Sequence, residues 1–188
     1  RFLPFIQLGL FTVDFTSNYF EIFGLPVGYQ VDFELLANRY HQMQREFHPD
    51  RYINKPSQEQ RLAVQYAAVI NQAYAELKSP LLRAQYLMSL SGIEGSGEAS
   101  ITRDPTFLMQ QIELREALSE VREANEPFVA LDRVAEEARE QYADLQREFG
   151  QQYSQADVEN AVDTVAKMQF FSKLLNEVEQ FEEELDDE

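Results

Sequence analysis

From Phe33 onward, apolar side chains recur at Leu36, Tyr40, Met43 and Phe47, in steps of four, three and four, until Pro49 interrupts the pattern. Such steps put one apolar stripe on an α-helix. Asn38, Arg39, Gln42 and Arg45 fall on the other side. Proline lacks a backbone donor and pushes the preceding residue out of helical geometry, so this helix is expected to stop near His48. Asp32 is its expected N-cap. After a loop over 48–56, Ser57 and Gln60 have the spacing of a capping box. Leu62, Tyr66, Ile70, Ala73 and Leu77 then trace a second helical face. Two amphipathic helices thus flank a short loop that contains His48-Pro49-Asp50.

The rest of the chain reads the same way. Residues 18–23 form a short helical segment that Ser17 is placed to cap and Gly24 to close. Ser79-Pro80 and Asp104-Pro105 each pair a capping residue with a proline suited to the first helical position. The segment 91–100 holds three Gly and three Ser and is the best candidate for a domain boundary. Beyond it, long helical patterns run over about 105–124, 127–149 and 154–184, with a turn expected at Gly150. Three helices with short connections are expected to pack as an antiparallel bundle. Useful strand alternation is missing, and only seven Gly and seven Pro occur in 188 residues. The expected fold class is all-α.

Charge separates the halves. Residues 1–100 carry 8 basic and 10 acidic side chains, and residues 101–188 carry 8 and 23, in a chain of net charge −17. No basic stripe is present to neutralise phosphates, so neither nucleic acid nor an anionic membrane is an expected partner. The apolar stretch 1–11 is too short for a membrane helix, and with one basic residue and no small-residue cleavage pattern close behind it a secretory signal is not the expected reading. Absence of cysteine excludes disulfides, thiolate metal sites and a cysteine nucleophile. It fits a reducing compartment. His41 and His48 are the only histidines, and no acid cluster completes a metal site around them. No glycine-rich phosphate loop occurs. The chain is therefore expected to be no enzyme, with no cofactor and no bound metal.

His48-Pro49-Asp50, followed by Arg51 and set between two amphipathic helices, resembles the J domain of DnaJ-type co-chaperones. Physical chemistry suits the residues to docking. Pro49 holds the loop in one shape, Asp50 can accept a charge-assisted hydrogen bond from a partner arginine, and His48 offers a ring and a nitrogen. The likeness extends to one branch of those proteins, the HscB family. Carrying it are Asn18-Tyr19-Phe20-Glu21-Ile22-Phe23-Gly24-Leu25-Pro26, Ile70-Asn71-Gln72-Ala73-Tyr74, Leu77-Lys78-Ser79-Pro80 and Arg83-Ala84-Gln85-Tyr86-Leu87. After the boundary, residues 107–116 (FLMQQIELRE) and 167–174 (KMQFFSKL) are also similar to that family.

The resemblance implies an N-terminal J domain over 18–91, a linker over 92–104 and a scaffold-binding three-helix bundle over 105–188. Residues 1–17 are then an extension to the family pattern. It implies that His48, Pro49 and Asp50, with Arg39 and Arg45 on the preceding helix, contact a HscA/DnaK-type ATPase chaperone. It further implies that Leu108, Met109, Ile112 and Phe170, edged by Glu113 and Glu116, bind an IscU-type iron–sulfur scaffold. By spacing alone, Leu108 and Ile112 share a helix face, which serves a core as well as a patch. Phe170 and Phe171 are adjacent and point in different directions, so at most one is expected to be fully buried. The implied role is delivery of the scaffold to the chaperone with stimulation of its ATPase, in the bacterial cytoplasm or, as an alternative, the mitochondrial matrix. A general protein-folding J-domain co-chaperone is the alternative function, but its usual Gly/Phe-rich stretch and cysteine repeats are absent. The helix before the loop is also less basic than in many J domains, because Glu34 and Glu46 offset Arg39 and Arg45.

Overall fold

The computed structural model describes residues 17–93 and 104–187, and all regular structure in them is helical. The chain divides into two compact units between Tyr86 and Leu87. Most of the extension (1–16) and of the expected linker (94–103) lies outside the described residues.

The first unit opens with α1 (Tyr19–Ile22), capped by Asn18 rather than Ser17. Asn18 accepts from the Glu21 backbone N–H, and the Glu21 carboxylate accepts from the Asn18 N–H, each at 3.0 Å. This reciprocal box satisfies two donors that a helix start leaves open. Gly24 follows at φ +57°, a backbone state that favours glycine, and lets the chain turn into a loop. Asp32 then caps α2 (Phe33–Glu46) through the Leu35 N–H at 2.9 Å, as its position predicts. The hairpin is completed by α3 (Ser57–Lys78). Leu36, Met43, Ile70, Ala73 and Leu77 are essentially sealed between the helices, each large aliphatic contributing about 1.5–3 kcal/mol. Tyr40 stacks on Tyr74 at 3.9 Å, and Phe47 packs against Tyr66 at 5.1 Å.

The capping box expected at Ser57 does not form. The Gln60 N–H bonds to the Pro56 carbonyl at 3.1 Å, so α3 starts one residue earlier and Pro56 is its N-cap. A proline side chain has no acceptor to offer, and the Gln60 amide is turned elsewhere.

Helix α4 (Pro80–Leu90) begins at the expected Ser79-Pro80, with the Ser79 carbonyl accepting from Arg83 N–H at 2.9 Å. Arg83 is buried. It donates to the Leu77 carbonyl at 2.6 Å and lies over the rings of Tyr29 and Phe33 at 4.7 and 5.1 Å. Tyr86 accepts from the Tyr19 N–H at 2.9 Å while the two rings stack at 4.4 Å. Together these contacts tie α1 and the following loop to the end of the hairpin.

The second unit holds α5 (Pro105–Ser119), a 3-10 turn (Val121–Glu123), α6 (Pro127–Ser154) and α7 (Val158–Asp186). Asp104 caps α5 through the Phe107 N–H at 3.1 Å. The expected turn at Gly150 is displaced. Gly150 lies inside α6, and the turn is made by Gln155, Ala156 and Asp157, with Ala156 at φ +57°. A helical glycine costs about 1 kcal/mol relative to alanine. The apolar face continues past it, with Phe149 fully buried and stacked on Tyr153 at 5.9 Å, and that packing carries the helix through. Cross-links that join α5, its N-cap and its following turn to α7 include Asp104–Lys167 at 2.7 Å, Arg115–Glu177 at 3.2 Å, and Arg122–Glu184. Each cation also lies over a ring, Lys167 on Phe107, Arg115 on Phe170 and Arg122 on Phe181.

Candidate partner-binding surfaces

The loop between α2 and α3 is shaped by its own residues. Pro49–Tyr52 form a single 3-10 turn with His48 as N-cap in an extended conformation. The His48 Nδ1 accepts from the Asp50 N–H at 3.3 Å and lies 3.6 Å from the Asp50 carboxylate. In the neutral imidazole an accepting Nδ1 leaves the proton on Nε2, so the outer nitrogen is a donor. The side chains of His48 and Asp50 are 56% and 78% exposed, which leaves both open to a partner. Below them the turn is anchored. Tyr52 is buried and donates to the Glu46 carbonyl at 3.4 Å, and Arg51 donates to the Arg45 carbonyl at 3.2 Å. These bonds use carbonyls that the end of α2 would otherwise leave unsatisfied. Burial pushes the Tyr52 phenol above its ordinary pKa. On the far side, the Gln60 amide donates to the carbonyls of Ile53 and Lys55 at 3.0 and 2.9 Å. Spacing alone assigned Gln60 to a cap. No local pattern distinguishes a glutamine that caps from one that holds a loop.

The two arginines named with this loop differ. Arg45 is exposed on α2, with its Nε on the His41 carbonyl at 3.2 Å. Arg39 is half-buried and turned onto the Phe23 carbonyl. Its guanidinium closes the C-terminus of α1, packed against Gly24, and so points away from a role shared with Arg45.

In the second unit, α5 buries Phe107, Leu114 and Leu118, positions seven and four apart that form one line along the helix. Leu108 is half-buried beside that line, while Met109 and Ile112 are 57% and 50% exposed. Glu113 and Glu116 are exposed on the same outer side. The structure therefore gathers five of the six sequence-predicted residues on the outer part of α5.

Phe170 behaves otherwise. It is 9% exposed and Phe171 1%, so the expectation that one of the adjacent pair stays open is corrected. Adjacent helical residues lie about 100° apart, so burying both large rings needs a wide covered arc. Helix α7 meets both α6 and α5, and its buried arc is wide enough for both. Phe107 meets the two rings edge-on at 5.7 and 6.0 Å, and the Arg115 guanidinium covers Phe170 at 5.6 Å.

Hydrogen bonding to Lys167, and next to the Phe107 N–H, holds the Asp104 carboxyl below the usual carboxylate range. Among the described residues, no group of three His, Cys, Asp or Glu side chains is placed to hold a metal ion, and no helix is long and apolar enough to cross a membrane.

Comparison with known proteins places nearly the whole chain. Residues 103–179 match the family model described as the HSCB C-terminal oligomerisation domain. The chain is 44% identical to the co-chaperone protein HscB homolog of Aeromonas hydrophila, over 89% of this chain and 98% of that one. Its fold is similar to chaperone HscB from Vibrio cholerae, with a TM-score of 0.81 and 40% identity, covering 90% of this chain and 99% of that one. Human co-chaperone protein HscB matches with a TM-score of 0.83 and 27% identity, covering 90% and 84%. With a curated relative this similar along nearly its whole length, the chain belongs to the HscB family of co-chaperones.

Proposed function

We propose that the chain is a two-handed adaptor: the 48–50 loop docks on a HscA/DnaK-type ATPase chaperone, and the outer face of α5 holds an IscU-type iron–sulfur scaffold. The observation that carries this reading is the loop. Its His48 and Asp50 side chains are exposed while the turn beneath them is anchored to α2 and α3. A surface whose polar groups are pre-ordered and open loses little freedom when a partner binds. Asp50 supplies a full negative charge for a charge-assisted bond, and Arg45 adds positive charge nearby on α2. ATP hydrolysis then belongs to the partner.

Met109 and Ile112 supply apolar contacts for the scaffold, with Leu108 at their inner edge and Glu113 and Glu116 giving a charged rim. Phe170 supports this face from beneath, through Phe107 and Arg115. Holding the scaffold and docking the chaperone with one chain raises the effective concentration of one partner at the other. The bacterial cytoplasm is the compartment that fits the bacterial relatives.

The test is ATPase stimulation. A HscA-type chaperone is assayed with the full chain, with and without an IscU-type scaffold. Stimulation by the chain, increased further when scaffold is added, is the expected result. Stimulation that an unfolded client enhances and the scaffold does not would point to a general folding co-chaperone. No stimulation would refute the docking role of the loop.

A further inference from the structure

The two ends of the 48–50 loop are held by different means. Upstream, Arg51 and Tyr52 fasten the 3-10 turn onto the last carbonyls of α2, and the Tyr52 ring is buried. Downstream, burial cannot do this work, because Ile53 is 65% exposed and residues 54–56 are exposed as well. A backbone bond from Lys55 N–H to the Tyr52 carbonyl, 2.9 Å, closes the turn on itself without attaching it to α3.

We propose that Gln60 is a positioning residue for the docking loop: its side-chain amide, at the start of α3, bonds the carbonyls of Ile53 and Lys55 and holds the downstream end in place. This rests on the reading of the loop as the chaperone-docking element. The chemistry selects glutamine. One amide nitrogen carries two N–H donors, and two carbonyls lie within 3.0 Å of it. Glutamate at this length offers only acceptors and would face two carbonyl oxygens. Asparagine is one methylene shorter. The helix start leaves the amide available, because the backbone N–H of Gln60 is already used on Pro56 and the side chain is not engaged in a cap. An ordered downstream end limits the conformations open to Asp50 and Arg51, so less freedom remains to be lost on docking.

The conservative variant is Gln60→Met, which keeps length, neutrality and helix propensity and removes both donors. Three measurements on the full chain separate positioning from a general effect on folding. Gln60 is exposed, so the thermal unfolding midpoint is expected to stay in place. Amide hydrogen exchange at Asp50, Arg51 and Lys55 is expected to accelerate several-fold, with the α5–α7 bundle unchanged. In the ATPase titration with a HscA-type chaperone, the half-maximal concentration is expected to rise about three- to tenfold, the scale of one net hydrogen bond. The stimulated rate at saturation should be nearly retained, since the docked partner orders the loop. Unchanged exchange overturns the proposal, and so does faster exchange with an unchanged half-maximal concentration. The wild-type arm distinguishes the two failures: a wild-type chain that does not stimulate overturns the docking reading itself, and the assignment of Gln60 with it.

Discussion

The 48–50 loop offers polar groups from a turn held by hydrogen bonds to carbonyls at 45, 46, 53 and 55, whereas the α5 surface offers apolar groups from a regular helix held by the core behind it. In the loop, most of the groups that maintain the shape are not those that would meet a partner. Asp50 faces outward, and Arg51, Tyr52 and Gln60 do the holding. His48 alone does both, exposed while its Nδ1 caps the turn. On α5 the separation is only one step around the helix. Phe107 is buried, Leu108 half-buried and Met109 exposed. A polar site on a turn can therefore lose its chemistry without losing its fold. An apolar site on a packed helix couples the two wherever a residue touches both sides.

Substitutions can break or sharpen that contrast. The largest effect is expected at Phe170, whose ring is enclosed by Phe107, Phe171 and Arg115. Phe170→Ala should cost about 3–5 kcal/mol of stability, read as a lowered midpoint in chemical unfolding. Any loss of scaffold binding should follow from displacement of α5. A Phe170→Ala chain that unfolds at the wild-type midpoint would show that this ring is no part of the core.

Next is Asp50→Asn, which keeps the shape and removes the charge. The loss of one charge-assisted bond is worth about 1.5–3 kcal/mol, so ATPase stimulation at a fixed concentration should fall by an order of magnitude or more. Because Asp50 is exposed, the unfolding midpoint and scaffold binding should not move. A mutant that stimulates like the wild type would remove the loop from the docking site.

Met109→Ala and Ile112→Ala, tested singly by titration with scaffold, should each weaken binding by more than about 1 kcal/mol if they are central to the contact. Both are at least half exposed, so stability should change by less than about 0.5 kcal/mol. Leu108→Ala should show both effects, in keeping with its half-buried position. Full-strength binding by the Met109/Ile112 double mutant would move the scaffold site off α5.

The smallest effect is acid sensitivity at Asp104. Its folded pKa is depressed by Lys167 and by the Phe107 N–H. The stabilisation is therefore present above the unfolded carboxylate value, about pH 4, and is lost as pH falls through the folded value. Asp104→Asn should lose this contribution at neutral pH, a small one for a partly exposed pair, and flatten the profile below about pH 4, where the two chains converge. A profile identical to the wild type from neutral to acid pH would show that the pair contributes nothing to stability.

Much of this molecule was legible in local sequence. Asp32 and Asp104 cap where their positions predict, Ser79-Pro80 starts α4, and Pro49 separates α2 from α3. Each of these depends on groups within a few residues of one another. Expectations that failed depended on competition between local signals and packing. Gly150 is a turn former by propensity, but Phe149 and Tyr153 hold the helix through it, and the chain reverses at Ala156 instead. Ser57 and Gln60 had cap spacing, yet the carbonyls of Ile53 and Lys55 took the Gln60 amide.

Helical period, proline breaks and capping residues by themselves determined an all-α chain with His48-Pro49-Asp50 between two amphipathic helices. They could do so because a helix is built from contacts three and four residues apart. Tertiary structure alone decided that Met109 and Ile112 face outward while Phe170 is enclosed, and that Arg39 turns onto Phe23 while Arg45 remains exposed. Apolar spacing says that a residue lies on a face. Which face is covered, and how wide the covered arc is, depends on the neighbours that pack there, and those neighbours come from elsewhere in the chain, sixteen residues away for Phe23 and Arg39 and more than sixty for the pairs that join α5, its N-cap and its following turn to α7.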